Sequence, residues 1–258
     1  MKETTIFTAT MLFLLILTGS AFAHFGMLIP SDSMIMQEDD RTITLTFSFS
    51  HPFEGLGMIM EKPNVSEVIM NGKKTDLLSS LKETSIMGHR GWYIDYKVTR
   101  PGVYMFHMEP KAYWEPGEDC YIVHYTKTIL GAFGGEEGWD EPMGLKTEII
   151  PLTRPFGLYA GNVFQGIVML DGKPVPNAKV EVEYYNKDGR VTAPADYMIT
   201  QSIKADRAGV FTYAVPGAGW WGFAALSTSE KKMKYQGEDK DVELGAVLWV
   251  EFLEWVER

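Results

Sequence analysis

Residues Arg41 to Ser50 alternate without a break. Ile43, Leu45, Phe47 and Phe49 fall on one side of an extended chain, and Thr42, Thr44, Thr46 and Ser48 on the other. Period two is the signature of a strand with one buried face. His51-Pro52 ends it, because proline has no N–H to give a ladder; His51 keeps the phase of Phe47 and Phe49. Glu67 to Met70 and Lys73 to Leu78 flank Asn71-Gly72. Asn-Gly supplies the positive φ values of a type I′ turn, so a hairpin is expected there. Leu78 to Ser85 reads equally as a short helix or a loop. Trp92 to Thr99, Val103 to Glu109 and Cys120 to Thr126 read as further strands, the first two joined by Arg100-Pro101-Gly102.

Composition then shifts. Gly131 to Gly144 holds five glycines, with Glu136, Glu137, Asp140 and Glu141 among them, and Pro151 and Pro155 follow. A domain boundary is expected between about 150 and 160 on those breakers. Beyond it come a strand from Gly161, an Asp171-Gly172 turn, a Pro174-x-Pro176 corner and a second strand alternating at Val180, Val182 and Tyr184. Ala205-Asp-Arg-Ala-Gly-Val-Phe-Thr-Tyr213, Trp220 to Leu226 and Val242 to Phe252 complete this half. Helical periodicity is nearly absent. The fold class expected is all-β, two β-sandwich domains in tandem over 24–155 and 156–258. The run of strand, Gly-x-Pro, strand and Ala-Asp-x-x-Gly-x-Phe resembles the transthyretin-like, carboxypeptidase-regulatory-like sandwich.

The formal net charge is −10. An acidic surface repels nucleic acid and gathers cations, so no nucleic-acid partner is expected. One cysteine, Cys120, rules out an internal disulfide. Residues 1–23 carry Lys2, an apolar run from Ile6 to Leu17, then Ala21-Phe22-Ala23. About a dozen apolar residues are short for a bilayer span, and Ala-x-Ala is where a signal peptidase cuts. A cleaved signal peptide over 1–23 is therefore expected, and with it a periplasmic chain, soluble after the cut, that starts at His24. Val242 to Phe252 is broken by Glu243 and Glu251, so no later stretch is a transmembrane candidate.

The five histidines, His24, His51, His89, His107 and His124, all precede residue 125. Imidazole is the commonest side-chain ligand for nickel, cobalt, copper and zinc. As a chain terminus, His24 would carry an α-amine of pKa near 8. Amine and Nδ1 of one residue close a six-membered chelate ring, which another imidazole completes as a histidine brace. His51 sits at a strand end, where sites gather. His107 alternates with Val103 and Met105, and His124 with Cys120 and Ile122; His89, in Gly-His-Arg-Gly, reads as a loop residue. Cys120 and His124, four apart in a strand, are about 13 Å apart, too far to share one ion. Glu115 and Glu118 precede the His124 strand. They are expected to orient ligating imidazoles from behind. Met58 and Met60 offer soft donors, though methionine is more often core filler. No nucleophile elbow, zinc-protease helix, phosphate loop or dinucleotide fingerprint is present, so no catalytic residue is assigned and no enzyme is expected.

Several longer runs resemble one family. They are Ala23-His-Phe-Gly-Met-Leu-Ile-Pro-Ser31, His51-Pro-Phe-Glu54, Arg100-Pro-Gly-Val-Tyr104 and Tyr113-Trp-Glu-Pro-Gly-Glu-Asp-Cys120. Ile122-Val-His-Tyr-Thr-Lys127, Gly138-Trp-Asp140 and Pro151-Leu-Thr-Arg-Pro-Phe-Gly-Leu-Tyr-Ala-Gly-Asn162 continue the list. Together they are similar to DUF4198, a family associated with the periplasmic component of cobalt and nickel uptake. The resemblance implies Ni²⁺ or Co²⁺ as the bound ion and a membrane transporter as the partner that receives it. His24, His51 and His124 fall inside the matching runs; His107 and His89 fall outside. Two other readings stay open. One is a copper-handling protein, with Cu²⁺ as the ion. The other is a non-catalytic adhesion or carbohydrate-binding module that uses Trp114, Trp139, Trp220 and Trp221 as sugar platforms.

Overall fold

The structure, a computed structural model, describes residues 24–256. The expected signal peptide lies outside the described residues. Alternation becomes strand where it was read: Thr42–His51 buries Ile43, Leu45, Phe47 and Phe49. Val65–Met70 and Lys73–Asp76 form the hairpin, with φ +49° at Asn71 and +72° at Gly72, the two positive values a type I′ turn needs. The open stretch 78–85 resolves into a single 3₁₀ turn, Leu78–Ser80, and a strand, Lys82–Ile86. The Cys120 strand runs on to Ala132. Gly131 belongs to it because Phe156 packs on the bare backbone; a Cβ there would lie 2.7 Å from Phe156 Cε2.

Three sheets stack. A five-stranded sheet has the order Phe25–Pro30, Thr42–His51, His89–Lys97, Lys82–Ile86, with Leu56–Met58 on the far half of Thr42–His51. An eleven-stranded sheet forms the middle layer, and a four-stranded sheet built on Thr147–Pro151, Val163–Leu170 and Val210–Ala214 covers its other face. The middle sheet crosses residues 150–160 without a seam. Val242–Leu253, from the second half, lies parallel beside Cys120–Ala132, from Tyr121 opposite Val242 to Thr128 opposite Trp249. The two halves are thus joined by a continuous main-chain ladder.

Each face of the middle sheet has its own core. Ile122 and Leu130 meet Leu28, Leu45 and Phe47 of the five-stranded sheet. Ile129, Leu248 and Phe223 meet Ile149, Phe164 and Phe211 of the four-stranded one. The leading strand Phe25–Pro30 is wedged in the first interface with all six residues buried. Phe25 and Met27 pack on Ala224, Val247 and Trp249, and the Trp249 indole N–H donates to Gly26 O at 2.8 Å. Burying side chains of that size is worth about 2 kcal/mol each, which holds the start of this strand in place.

Candidate metal centre

The antiparallel register of the leading strand sets Phe25 opposite Ser50. One step further, His24 faces His51. Directly opposed residues share a sheet face, and the two imidazoles sit with centroids 4.6 Å apart. Their shared face is the one that carries Phe47 and Phe49, so both rings point toward the middle sheet. The Phe49 ring lies 5.8 Å from His24, stacked, and 5.6 Å from His124, edge-on.

His124 rises from the middle sheet into the same space. It is 1% exposed. Its ring occupies a slot made by two glycines. The Gly26 N–H donates to His124 Nδ1 at 3.2 Å, and a Cβ on Gly245 would fall 2.3 Å from His124 Cδ2. The other nitrogen, Nε2, faces Glu243 Oε1 at 3.4 Å. The short strand Tyr113–Glu115 pairs with the start of the His124 strand, Glu115 opposite Cys120, and brings a carboxylate to the cluster. Glu115 Oε2 lies 2.9 Å from His24 Nε2, with both side chains nearly buried.

Electrostatics suit ligation. Burial, then the neighbouring charge of His51, pushes the His24 pKa down to about 4 against the pull of Glu115. The ring is neutral at pH 7, donates Nε2–H to Glu115, and keeps the Nδ1 lone pair. Burial raises Glu243, but the hydrogen bond and charge of His124 outweigh it and hold the carboxyl below its usual range. Glu118 is raised by burial and by Glu243, Glu115 and Glu181, and its carboxylate turns toward the Cys120 thiol. Burial, then Glu118, pushes that thiol up to about 11, so it stays protonated. The residue types gathered here, imidazole and carboxylate, are those a borderline divalent cation takes, but among the described residues no group of three or more His, Cys, Asp or Glu side chains is placed to hold an ion.

The remaining histidines lie elsewhere. His107 projects from the opposite face of the middle sheet, where its Nε2 meets Glu67 Oε2 at 3.2 Å and its Nδ1 is buried without a partner. His89 is exposed; it begins a strand just after the Met87-Gly88 turn and is no loop residue. Met60 is core and Met58 packs against it. Trp221 is buried, Trp139 and Trp220 pack on cores, and Trp114 stacks on Tyr235 at 3.8 Å.

The sequence reading missed Glu243, Gly245, Gly26 and Phe49 as site residues. One signal for Glu243 was available: it is one of two carboxylates, with Glu251, in an otherwise apolar strand, read only as a break in a membrane span. The second half also supports His51 from behind. Glu183 Oε1 accepts the Phe53 N–H at 2.9 Å, and Asn186 donates from Nδ2 to Phe53 O at 3.1 Å and from its N–H to Pro52 O at 3.2 Å.

A family model described as "Domain of unknown function (DUF4198)" matches residues 21–229. The match starts at the Ala-Phe-Ala run and holds every histidine, but it stops short of Glu243. Among solved structures, the chain is similar to the D0-D1 domain of Intimin, with 12% identity, 90% of this chain and 100% of that one covered, and a TM-score of 0.24. It is similar to the adhesin InvE of Yersinia pseudotuberculosis at 12% identity over 86% of this chain and 58% of that one, TM-score 0.23. It is similar to tandem Ig domains of titin at 10% identity over 90% and 100%, TM-score 0.21. Likeness at this level says nothing about function. A comparison with curated proteins finds no match.

Proposed function

The chain belongs to the DUF4198 family, whose description names no activity, and from the site itself we propose that it is an exported carrier of a divalent transition-metal ion. The cargo is Ni²⁺ or Co²⁺, passed to a membrane transporter component; the protein performs no chemistry on it. Cleavage after Ala23 frees the His24 nitrogen as an amine, and amine and Nδ1 grip the ion while His51, and His124 once it gives up the Gly26 N–H, complete the set. One observation carries this reading: His24 opposes His51 across a strand pair with His124 beneath, and a carboxylate already holds the far nitrogen of His24. Ligating histidines are oriented in this way by a partner on their other nitrogen. Among the described residues no helix is long and apolar enough to cross a membrane.

Cu²⁺ is the close variant, because the Irving–Williams order makes copper the tightest binder of most nitrogen sites. Affinity in a tube therefore does not name the cargo; metal analysis of protein taken from the cell envelope does. Terminal sequencing of that protein is expected to begin at His24. Calorimetric titration with Ni²⁺, Co²⁺ and Cu²⁺ is expected to give one site per chain. Equal binding by a form with one residue added before His24 would remove the terminus from the site.

A further inference from the structure

Lys73–Asp76 is the outer strand of the middle sheet, and its hairpin register sets Thr75 opposite Val68 and Lys73 opposite Met70. Opposed residues share a face. This face looks toward the five-stranded sheet, since Val68 and Met70 pack in the core that also holds Ile94 and Tyr104. Lys74, one residue on, takes the other face and pairs with Glu67 at 3.9 Å. Beside the Arg100-Pro101-Gly102 turn the two sheets leave a cavity of about 260 Å³. Its polar lining is Lys73, Thr75, Tyr96, Thr99, Arg100 and Tyr104.

That lining has two cations, four hydroxyls and no carboxylate, in a chain of net charge −10. Among the described residues neither Lys73 nor Arg100 forms an ion pair. Arg100 is nonetheless held in place. Its Nε–H donates to Met70 Sδ at 3.0 Å, its N–H donates to the Tyr104 hydroxyl at 3.4 Å, and that hydroxyl donates to Arg100 O at 2.9 Å. The N–H groups on its two terminal nitrogens remain for a ligand. Tyr96 is fixed edge-on against Tyr104 at 6.0 Å and Phe106 at 5.1 Å. Burial, then Tyr104, raises its pKa against the pull of Arg100, so its hydroxyl keeps a proton to donate.

A guanidinium fork, an ammonium and hydroxyl donors around one space suit an oxyanion. A carboxylate answers one cation, whereas a phosphate monoester carries about −1.5 to −2 at pH 7 and answers both. The cavity is roughly nine times the volume of one water in the liquid, so it also takes part of whatever carries the phosphate. We propose that this cavity binds a phosphoryl group, free or carried on a small ester or a lipid head, with Arg100 and Lys73 holding its charge and Tyr96 donating a hydrogen bond. The site shares no residue with the histidine cluster and does not depend on the metal-carrier reading.

The test titrates the metal-free chain that begins at His24, at pH 7.5 and low salt, with inorganic phosphate, phenyl phosphate and acetate by calorimetry. Vesicles of phosphatidylcholine, with and without phosphatidic acid, are followed by sedimentation. Wild type is expected to bind phosphate or phenyl phosphate at least about tenfold more tightly than acetate, one charge-assisted contact being worth that much. Binding to the phosphatidic acid vesicles alone, with the same response to substitution, supports the site and puts the phosphoryl group on a lipid. Arg100→Gln and Lys73→Gln are each expected to lose about tenfold or more. Tyr96→Phe keeps the ring contacts and is expected to lose about threefold to tenfold. Lys74→Gln removes the same charge on the other face and is expected to change affinity less than about threefold, because salt and water screen it. Lys73 is exposed on an edge strand, so Lys73→Gln decides the matter if Arg100→Gln fails to fold. Equal losses in Lys73→Gln and Lys74→Gln overturn the site in favour of overall charge. Acetate bound as tightly as phosphate overturns the match of two cations to one phosphoryl group. No binding of any phosphoryl probe by wild type overturns the proposal and leaves the carrier reading as it stands.

Discussion

Glu183 is a buried carboxyl that makes the stability of this protein depend on pH. It is 1% exposed, and burial raises its pKa from 4.5 to about 7 despite the hydrogen bonds from Thr200 and the Phe53 N–H. The folded state thus binds the proton more tightly than the unfolded one. The associated stability is full below pH 4.5 and is lost as pH rises to about 7. The complete loss is about 3 kcal/mol, at about 1.4 kcal/mol per factor of ten in proton affinity. Between pH 5.5 and 7.5 the share is about 2 kcal/mol. Glu183→Gln removes the charge and keeps an oxygen for the Phe53 N–H. Urea unfolding of wild type and variant at both pH values gives the comparison, and groups common to both cancel. With a slope of about 2 kcal/mol/M, the wild-type midpoint is expected to fall by about 1 M more than the variant's. Parallel pH dependence in the two proteins would show that Glu183 does not titrate in this range and would refute the reasoning.

Three more predictions follow from packing and charge. Gly245→Ala puts a Cβ 2.3 Å from His124 Cδ2 and 2.6 Å from Nε2; it is expected to cost about 1–3 kcal/mol and to weaken Cu²⁺ binding, both read by titration. Lys127 and Glu148 form a fully buried pair at 2.9 Å, and the Met143 and Gly144 amides also donate to the carboxylate. Lys127→Ala strands that charge at a cost of about 3–5 kcal/mol, a Tm drop of about 10 °C by calorimetry, whereas Lys127→Met with Glu148→Gln is expected to cost clearly less. The Cys120 thiol, pushed up to about 11 by burial and by Glu118, is expected to react with iodoacetamide at pH 8 about a hundredfold more slowly than a free cysteine by mass spectrometry, since only the thiolate attacks.

Periodicity and turn chemistry made much of this molecule legible before any coordinates. The Thr42–His51 strand, the Asn71-Gly72 hairpin and the all-β class follow from local rules, because alternation and positive-φ turns are properties of neighbouring residues. The phase of His51 with Phe47 and Phe49 was local in the same way, and so was Glu115 just ahead of the His124 strand. Pairing between distant strands is not local. Nothing in the sequence sets Val242–Leu253 beside Cys120–Ala132, so the sheet that crosses the expected boundary and the arrival of Glu243 at His124 were invisible. Nor does spacing reveal which side of a strand meets which layer. His107 and His124 both alternate with apolar residues, yet they project from opposite faces of one sheet. The sequence by itself determined the residue types, the strands and the face each side chain shares with its neighbours. The tertiary structure decided which faces meet and which partners the ring nitrogens take, because register and hydrogen bonding across the layers are set by packing between residues up to a hundred or more positions apart.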